Sequence, residues 1–456
     1  MKKYLLTLTF IASLCVLEAQ TWSVDSLPTN SNYYNVAATT DTKIIMTSDT
    51  AVGIYDDEAK TWKTGVLSFS SSGSKAVPMG DKIYFLQGYD RPTNDFSKKM
   101  DIYNTTTNTW KRDSMTFAPN NAGLGAIGSK LFVAGGFQYS QTTGQSVLNT
   151  IRIYDTLTQR WSYNATLSVA RANPEVIRVK NKLLFIGGYL NNTQDPTYWT
   201  YYKNIDIYDE TTGQWSVVYM KTGRLYPRLA VSGSKVLIAG GIDKTVIVGA
   251  SPFGHFTNTC EVYDVDTNTW QTADFPNSRT FSSIGVYSNK AYIMCGGVQD
   301  FVNTQPPYDK IDIYNFTTNT WTAQPFPYLA YVRNGSTTAV KNKIFFIGGF
   351  IQNVGITKRI DIMTLTPTGV LEPSVLSNKL SVAPNPVSDV LTVDFDKEDT
   401  PQYALKMTNA LGQTVYNQAV LQESKVQIDV QNWQIGLYFL TIQTTKGVKT
   451  QTFIKQ

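Results

Sequence analysis

Short apolar runs separated by tight polar turns cover most of this chain. EVIRVKNKLLFIGG (175–188) and TTAVKNKIFFIGG (337–349) show the unit: an apolar run, a Lys/Asn turn, a second run, then two glycines. A loop of variable length follows, then a third run with Tyr near its end, a polar turn, and a fourth run that opens at Trp. Two such runs around a tight turn read as an antiparallel hairpin. Each unit therefore predicts a four-stranded meander of about fifty residues. The glycine pairs are Gly135/Gly136, Gly187/Gly188, Gly240/Gly241, Gly296/Gly297 and Gly348/Gly349. The aromatic pairs are Tyr55/Trp62, Tyr103/Trp110, Tyr154/Trp161, Tyr208/Trp215, Tyr263/Trp270 and Tyr314/Trp321, always seven residues apart. The second unit has Gln87-Gly88, and the first, around Met46 to Gly53, has no glycine pair. Those two units are expected to be less regular.

A double glycine, a spacer, Tyr and then Trp at a fixed offset resemble the kelch repeat. The resemblance covers roughly residues 20–366 and implies a β-propeller, with Tyr and Trp packed between blades. Residues 337–363 supply three strands of a last unit, with Met363 in the Tyr slot and no Trp after it. Trp22 stands alone ahead of the first unit. The simplest closure makes residues 21–25 the fourth strand of that last blade. Six complete blades and one shared blade make seven, and joining the ends in one blade removes an exposed sheet edge.

The repeat stops after Pro367, and 367–377 reads as a linker. Alternation and turn residues in 378–456 suggest a small β-sandwich. Pro384-Asn385-Pro386, Leu391, Asn409, Gly412-Gln413, Gly436, Tyr438 and the basic end with Lys449 and Lys455 closely resemble the type A C-terminal sorting domain of type IX secretion substrates. That family implies the secretion machinery as a partner and export across the outer membrane. The domain is then usually removed, and the protein is released or tethered at the surface. The fold expected overall is all-β: a seven-bladed kelch-type β-propeller followed by a small C-terminal β-sandwich.

Residues 1–19 read as a secretory leader: Lys2 and Lys3 open it, Leu5 to Leu17 is apolar, and Ala19 offers a cleavage point. No later stretch is long and apolar enough to span a bilayer as a helix. The net charge of +5 falls to +4 without the leader and is scattered, which argues against nucleic acid. Export permits a disulfide between Cys260 and Cys295, yet both occupy apolar slots of the repeat and read as buried small side chains.

The chemistry-bearing motifs are few. Gly123, Gly125 and Gly128 spell GxGxxG, but on an innermost strand followed by another strand, without the helix a phosphate site needs. Asp264, Asp266 and Asn268 lack the Gly and Glu of a calcium loop and lie in the repeat's last turn. His255 is the only histidine, which excludes a two-histidine copper site, and no Cys/His cluster offers zinc. No metal, cofactor or catalytic residue is assigned. Propellers carry function on their loops. The candidate ligand-binding residues are Arg171, Arg228, Arg279 and Arg333 on the blade-joining loops, with Tyr198, Trp199, Tyr202, His255 and Phe256 on the insertions. Aromatic faces with Arg forks suit a sugar ring or an acidic peptide; the competing reading is that the Arg residues cap strand ends. The expected function is a secreted or surface-exposed binding protein for an extracellular glycan or protein. The alternative is a carbohydrate-active enzyme on the same scaffold, such as a sialic-acid mutarotase-like epimerase.

Overall fold

The computed structural model describes residues 17–27, 35–71, 74–93, 95–140, 144–190, 199–248, 251–274, 283–294, 299–300, 303–304, 310–326, 332–333, 336–348, 350–351, 355–356, 358–368, 380–395, 403–409, 413–421, 425–444 and 447–456. Expectations that fall outside them concern the body of the leader, the linker, Cys295, Arg279, Tyr198 and Gly412. The described residues form strands and turns, and no helix among them is long and apolar enough to cross a membrane. The chain divides into a unit of Thr21–Thr364 and a second unit built mainly from Leu365–Gln456.

Among the described residues the first unit holds seven four-stranded antiparallel sheets, with smaller hairpin sheets on their loops. Blade 1 runs from Asn35–Thr39 to Thr61–Val66 and blade 2 from Lys75–Met79 to Thr109–Ser114. Blade 3 runs from Gly123–Ile127 to Arg160–Thr166 and blade 4 from Glu175–Val179 to Trp215–Tyr219. Blade 5 runs from Arg228–Ser232 to Thr269–Thr272 and blade 6 from Ser283–Tyr287 to Thr320–Pro325. Blade 7 takes Ser336–Val340, Lys343–Ile347 and Arg359–Thr368, and its fourth strand is Leu17–Ser26. The first strand of each blade contacts that of the next, and the strand of blade 7 returns to that of blade 1, so the ring is closed.

The shared strand starts at Leu17, earlier than the expected residue 21. It ends as the other outer strands end: Leu27 N–H donates to Lys358 O, as Leu67 does to Thr50 and Leu167 to Asn149. Trp22 stacks on Phe346 at 5.8 Å and meets Phe326 of blade 6 edge-on at 5.3 Å.

The seven-residue Tyr/Trp offset has a direct cause in register. Each Tyr lies opposite its Trp across the third and fourth strands, with ring centres 4.7 to 5.3 Å apart. The turn between them is built by side-chain chemistry. Asn104 Oδ1, for example, accepts the N–H groups of Thr106 and Thr107, and the left-handed Asn108 accepts the Tyr103 hydroxyl. Asp264 and Asn268 do the same work in blade 5. Among the described residues no group of His, Cys, Asp and Glu could hold a metal.

The six Tyr residues are buried, whereas Trp62, Trp110, Trp161, Trp215, Trp270 and Trp321 are half-buried. Each Trp packs into a core shared with the preceding blade: Trp161 joins Tyr84 and Met100 of blade 2 to Leu131 and Tyr154 of blade 3. Cys260 is buried in the core between blades 5 and 6. Blade 2 is regular, contrary to expectation. Gln87 adopts the left-handed conformation (φ 62°) that Gly135 and Gly187 take elsewhere, and its amide donates to Ala122 O at 2.8 Å.

The second unit packs a three-stranded sheet and a four-stranded sheet around Leu391, Val393, Met407, Leu440 and Phe453. Asn385 of the Pro-Asn-Pro segment accepts the Ile454 N–H at 2.8 Å, and Val387 N–H donates to Ile454 O. The motif thereby pins the last strand. Tyr438 is buried and stacks on Phe453, and Lys455 is also buried. Gly436 opens the strand Gly436–Thr444.

Candidate ligand-binding face

The glycine pairs of blades 3 and 4 interlock the loops that join one blade to the next. Gly136 N–H donates to Arg171 O, and Gly188 N–H to Arg224 O. A Cβ on Gly187 would lie 2.3 Å from Arg224 O, so the loop seats only against glycine. The joining loops ahead of blades 4 and 5 each bury an arginine. Arg171 is 0% exposed and pairs with Asp206 at 2.6 Å; Arg224 is 0% exposed and pairs with Glu261 at 2.6 Å. The same carboxylates accept backbone N–H groups of the loops, from Ser168 and Lys221.

Arg171 is therefore tied down inside the propeller rather than presented to a ligand. Its counterpart is Arg224, not Arg228: both precede Pro by three residues, in Arg171-Ala-Asn-Pro174 and Arg224-Leu-Tyr-Pro227. That shared spacing was the signal available in the sequence. Arg228 instead opens the first strand of blade 5, in the slot that Glu175 fills in blade 4. Arg279 and Tyr198 lie outside the described residues, and for Arg333 only its strand is described.

Arg228 is half-buried and makes no ion pair among the described residues. Burial pulls its guanidinium below the ordinary range, and nearby Glu175 and Tyr226 oppose that. Tyr226 is 40% exposed, and its hydroxyl accepts from Asn173. Burial and Glu175 push its phenol up, with Arg228 acting against them. Tyr226 is also within electrostatic reach of Tyr189. Trp199 packs at a tilt against Tyr189, with ring centres 5.1 Å apart, and joins Tyr201 in a cluster that includes Phe137 and Leu225. Tyr201 bonds Thr245, and His255 Nδ1 meets Asp243 at 2.6 Å on the hairpin beside it. Phe256 is half-buried opposite Ile242, and Tyr202 is half-buried near Arg171. The face thus brings together Trp199, Tyr226, Arg228 and Glu175, with His255 at 43% side-chain exposure on its flank. It offers aromatic surface, one unpaired guanidinium and neutral hydroxyls, a set that holds a polar ligand by stacking and directed hydrogen bonds.

Comparison with known proteins places the repeat. The Kelch motif matches residues 118–168 and 223–273, and the Secretion system C-terminal sorting domain matches residues 381–456. Kelch-like protein terF of Aspergillus terreus is 26% identical over 48% of this chain and 46% of that protein. Kelch-like protein 40 of Xenopus laevis is 26% identical over 38% of this chain and 26% of its own length. Alpha-scruin of Limulus polyphemus is 29% identical over 30% of this chain and 14% of its own length. The chain thus spans less than half the length of these relatives. The solved structure titled "Structure of YjhT" aligns at a TM-score of 0.47 and 14% identity, covering 64% of this chain and 97% of that one. Repeat, ring and motif together make this a kelch-repeat β-propeller protein. It carries a type IX sorting domain at its C-terminal end, which indicates export to the cell surface or the extracellular space.

Proposed function

We propose that the protein is a ligand-binding propeller exported for work outside the cell, and that its ligand is an extracellular glycan or protein held on the loops of blades 4 and 5. The observation that carries the reading is Arg228: a half-buried arginine without an ion pair among the described residues, beside Tyr226 and the Trp199 cluster. A cation left partly desolvated and unpaired is costly unless a ligand completes it. The leader at 1–19 brings the chain to the periplasm, and the tail, by engaging the type IX machinery, takes it across the outer membrane. Screening the full chain on a glycan array, then measuring affinity for the best hit, tests the reading. Arg228→Ala and Trp199→Ala should each weaken binding by at least about 1 kcal/mol. Unchanged affinity in both would move the site elsewhere.

The epimerase alternative draws on Glu175, which supplies a carboxylate near Arg228 and Tyr226. The raised Tyr226 phenol stays protonated at neutral pH and acts as a donor. An enzyme would convert its bound sugar and lose turnover, with binding retained, in Glu175→Gln. A binding protein would show no turnover in either form.

A further inference from the structure

Five blades carry an acidic residue two positions before the third-strand Tyr or its substitute: Asp101, Asp206, Glu261, Asp312 and Asp361. All five are buried. In blades 2, 4 and 5 the carboxylate accepts the backbone N–H of the incoming loop, from Ser68 at 2.5 Å, Ser168 at 2.7 Å and Lys221 at 2.7 Å. Blade 1 has Gly53 in this slot, and blade 3 reverses its charge with Arg152.

Both sides of the arrangement change in blade 3. Thr116 follows Met115, the residue that ends the preceding outer strand, as Ser68 follows Leu67 and Ser168 follows Leu167. Its N–H meets no carboxylate among the described residues. Pro119 stands in the slot of Arg171 and Arg224, one residue before the carbonyl that receives the N–H after the glycine pair. The bulk of a buried arginine is therefore missing, and a cavity of about 450 Å³ opens there. Arg152 and Thr116 line it, with Lys98, Asn120 and Gln138. The Arg152 guanidinium lies 4.4 Å from the centre of the Phe117 ring and 5.7 Å from that of Tyr163. Its Nε is buried without a hydrogen-bond partner. No ion pair forms at Arg152 among the described residues, and burial pulls it below its ordinary range, opposed by the charge interaction and hydrogen bond with Tyr163.

We propose that this cavity between blades 2 and 3 binds a sugar acid, whose carboxylate supplies the negative charge missing from blade 3. Phe117 lies over the guanidinium and the Tyr163 hydroxyl bonds it on one side, while its Nε–H keeps an unused donor for a carboxylate. Asn120 and Gln138 offer amides to sugar hydroxyls. The volume suits a small ligand. At the rim the exposed Asp95 offsets Lys98, so Arg152 leaves the site one net positive charge, matched to a monoanion rather than a phosphate dianion. This site goes beyond the blade 4 and 5 face and shares no residue with it.

Calorimetric titration of the full chain with glucuronate, glucose and inorganic phosphate tests the proposal. Saturable binding of glucuronate is expected at millimolar concentrations, with glucose and phosphate bound at least about tenfold more weakly. Arg152→Gln should lose about tenfold or more in glucuronate affinity, while Arg178→Gln, at an exposed arginine of blade 4, leaves it unchanged. Gln138→Glu is an exposed change that folds without rebuilding the core; it places a rival carboxylate at the cavity and should abolish binding. Absent binding, equal affinity for glucose, or unaltered affinity in Q138E overturns the proposal.

Discussion

Replacing Arg171 by Ala distinguishes framework from ligand site. The wild-type side chain is fully buried. Its Nη2 donates to Asp206 Oδ2 at 2.6 Å and to Phe185 O at 3.1 Å, and its Nη1 to Val169 O at 3.4 Å. Removing it leaves the Asp206 carboxylate buried with only Ser168 as donor, through its N–H at 2.7 Å and its hydroxyl at 3.1 Å. Breaking one side of a buried ion pair costs about 3–5 kcal/mol. An unfolding entropy of about 2.1 cal/mol/K per residue, over a unit of this size, gives ~0.7 kcal/mol/K. The melting temperature should therefore fall by about 4–7 °C. Differential scanning calorimetry reads this directly, with Arg160→Ala, an exposed arginine of blade 3, as the control. The paired replacement Arg171→Met with Asp206→Leu should recover most of the loss, because no charge is then stranded. An Arg171→Ala protein melting within about 1 °C of wild type would refute the framework role.

Other outcomes follow from the same packing. Trp161→Ala should cost about 2–3 kcal/mol in urea unfolding, less than a fully buried Trp because its ring is half-buried; a wild-type midpoint would disprove packing between blades. Trp22→Ala should loosen blade 7, read as faster amide exchange in Arg359–Thr368; unchanged exchange there would deny closure by the N-terminal strand. Burial raises the phenols of Tyr84, Tyr189 and Tyr314 from 10.0 to about 12. The native chain keeps protons that the unfolded chain loses, so stability should fall as pH rises from about 10 to about 12. Ultraviolet titration showing every tyrosine ionising near pH 10 would contradict that burial.

Much of the architecture was legible because its causes are local. A seven-residue offset puts Tyr opposite Trp across a tight turn, and the Asp or Asn after Tyr caps that turn, so the sequence period and the physical unit coincide. Trp22 was legible as the missing piece of blade 7 for the same reason. The site was harder to read. Arg171 in a loop looks exposed until its partner is known, and Asp206 lies 35 residues away. The rule was nonetheless written in two places, Arg-x-x-Pro and the acidic residue before Ile-Tyr. Arg152 in IRIY and Gly53 in VGIY are its two visible exceptions, and only Arg152 reverses the charge. Gln87 hid the regularity of blade 2 because a left-handed conformation is expected of glycine, and here a side-chain hydrogen bond sustains it.

The central claim is that the propeller is cargo and the tail its address. The direct measurement follows the full chain, and the chain lacking residues 381–456, through cell fractionation in a bacterium with type IX secretion. The full chain should reach the surface or medium, while the truncated chain stays in the periplasm as a protease-resistant propeller. Equal delivery of both forms to the outside would contradict the account.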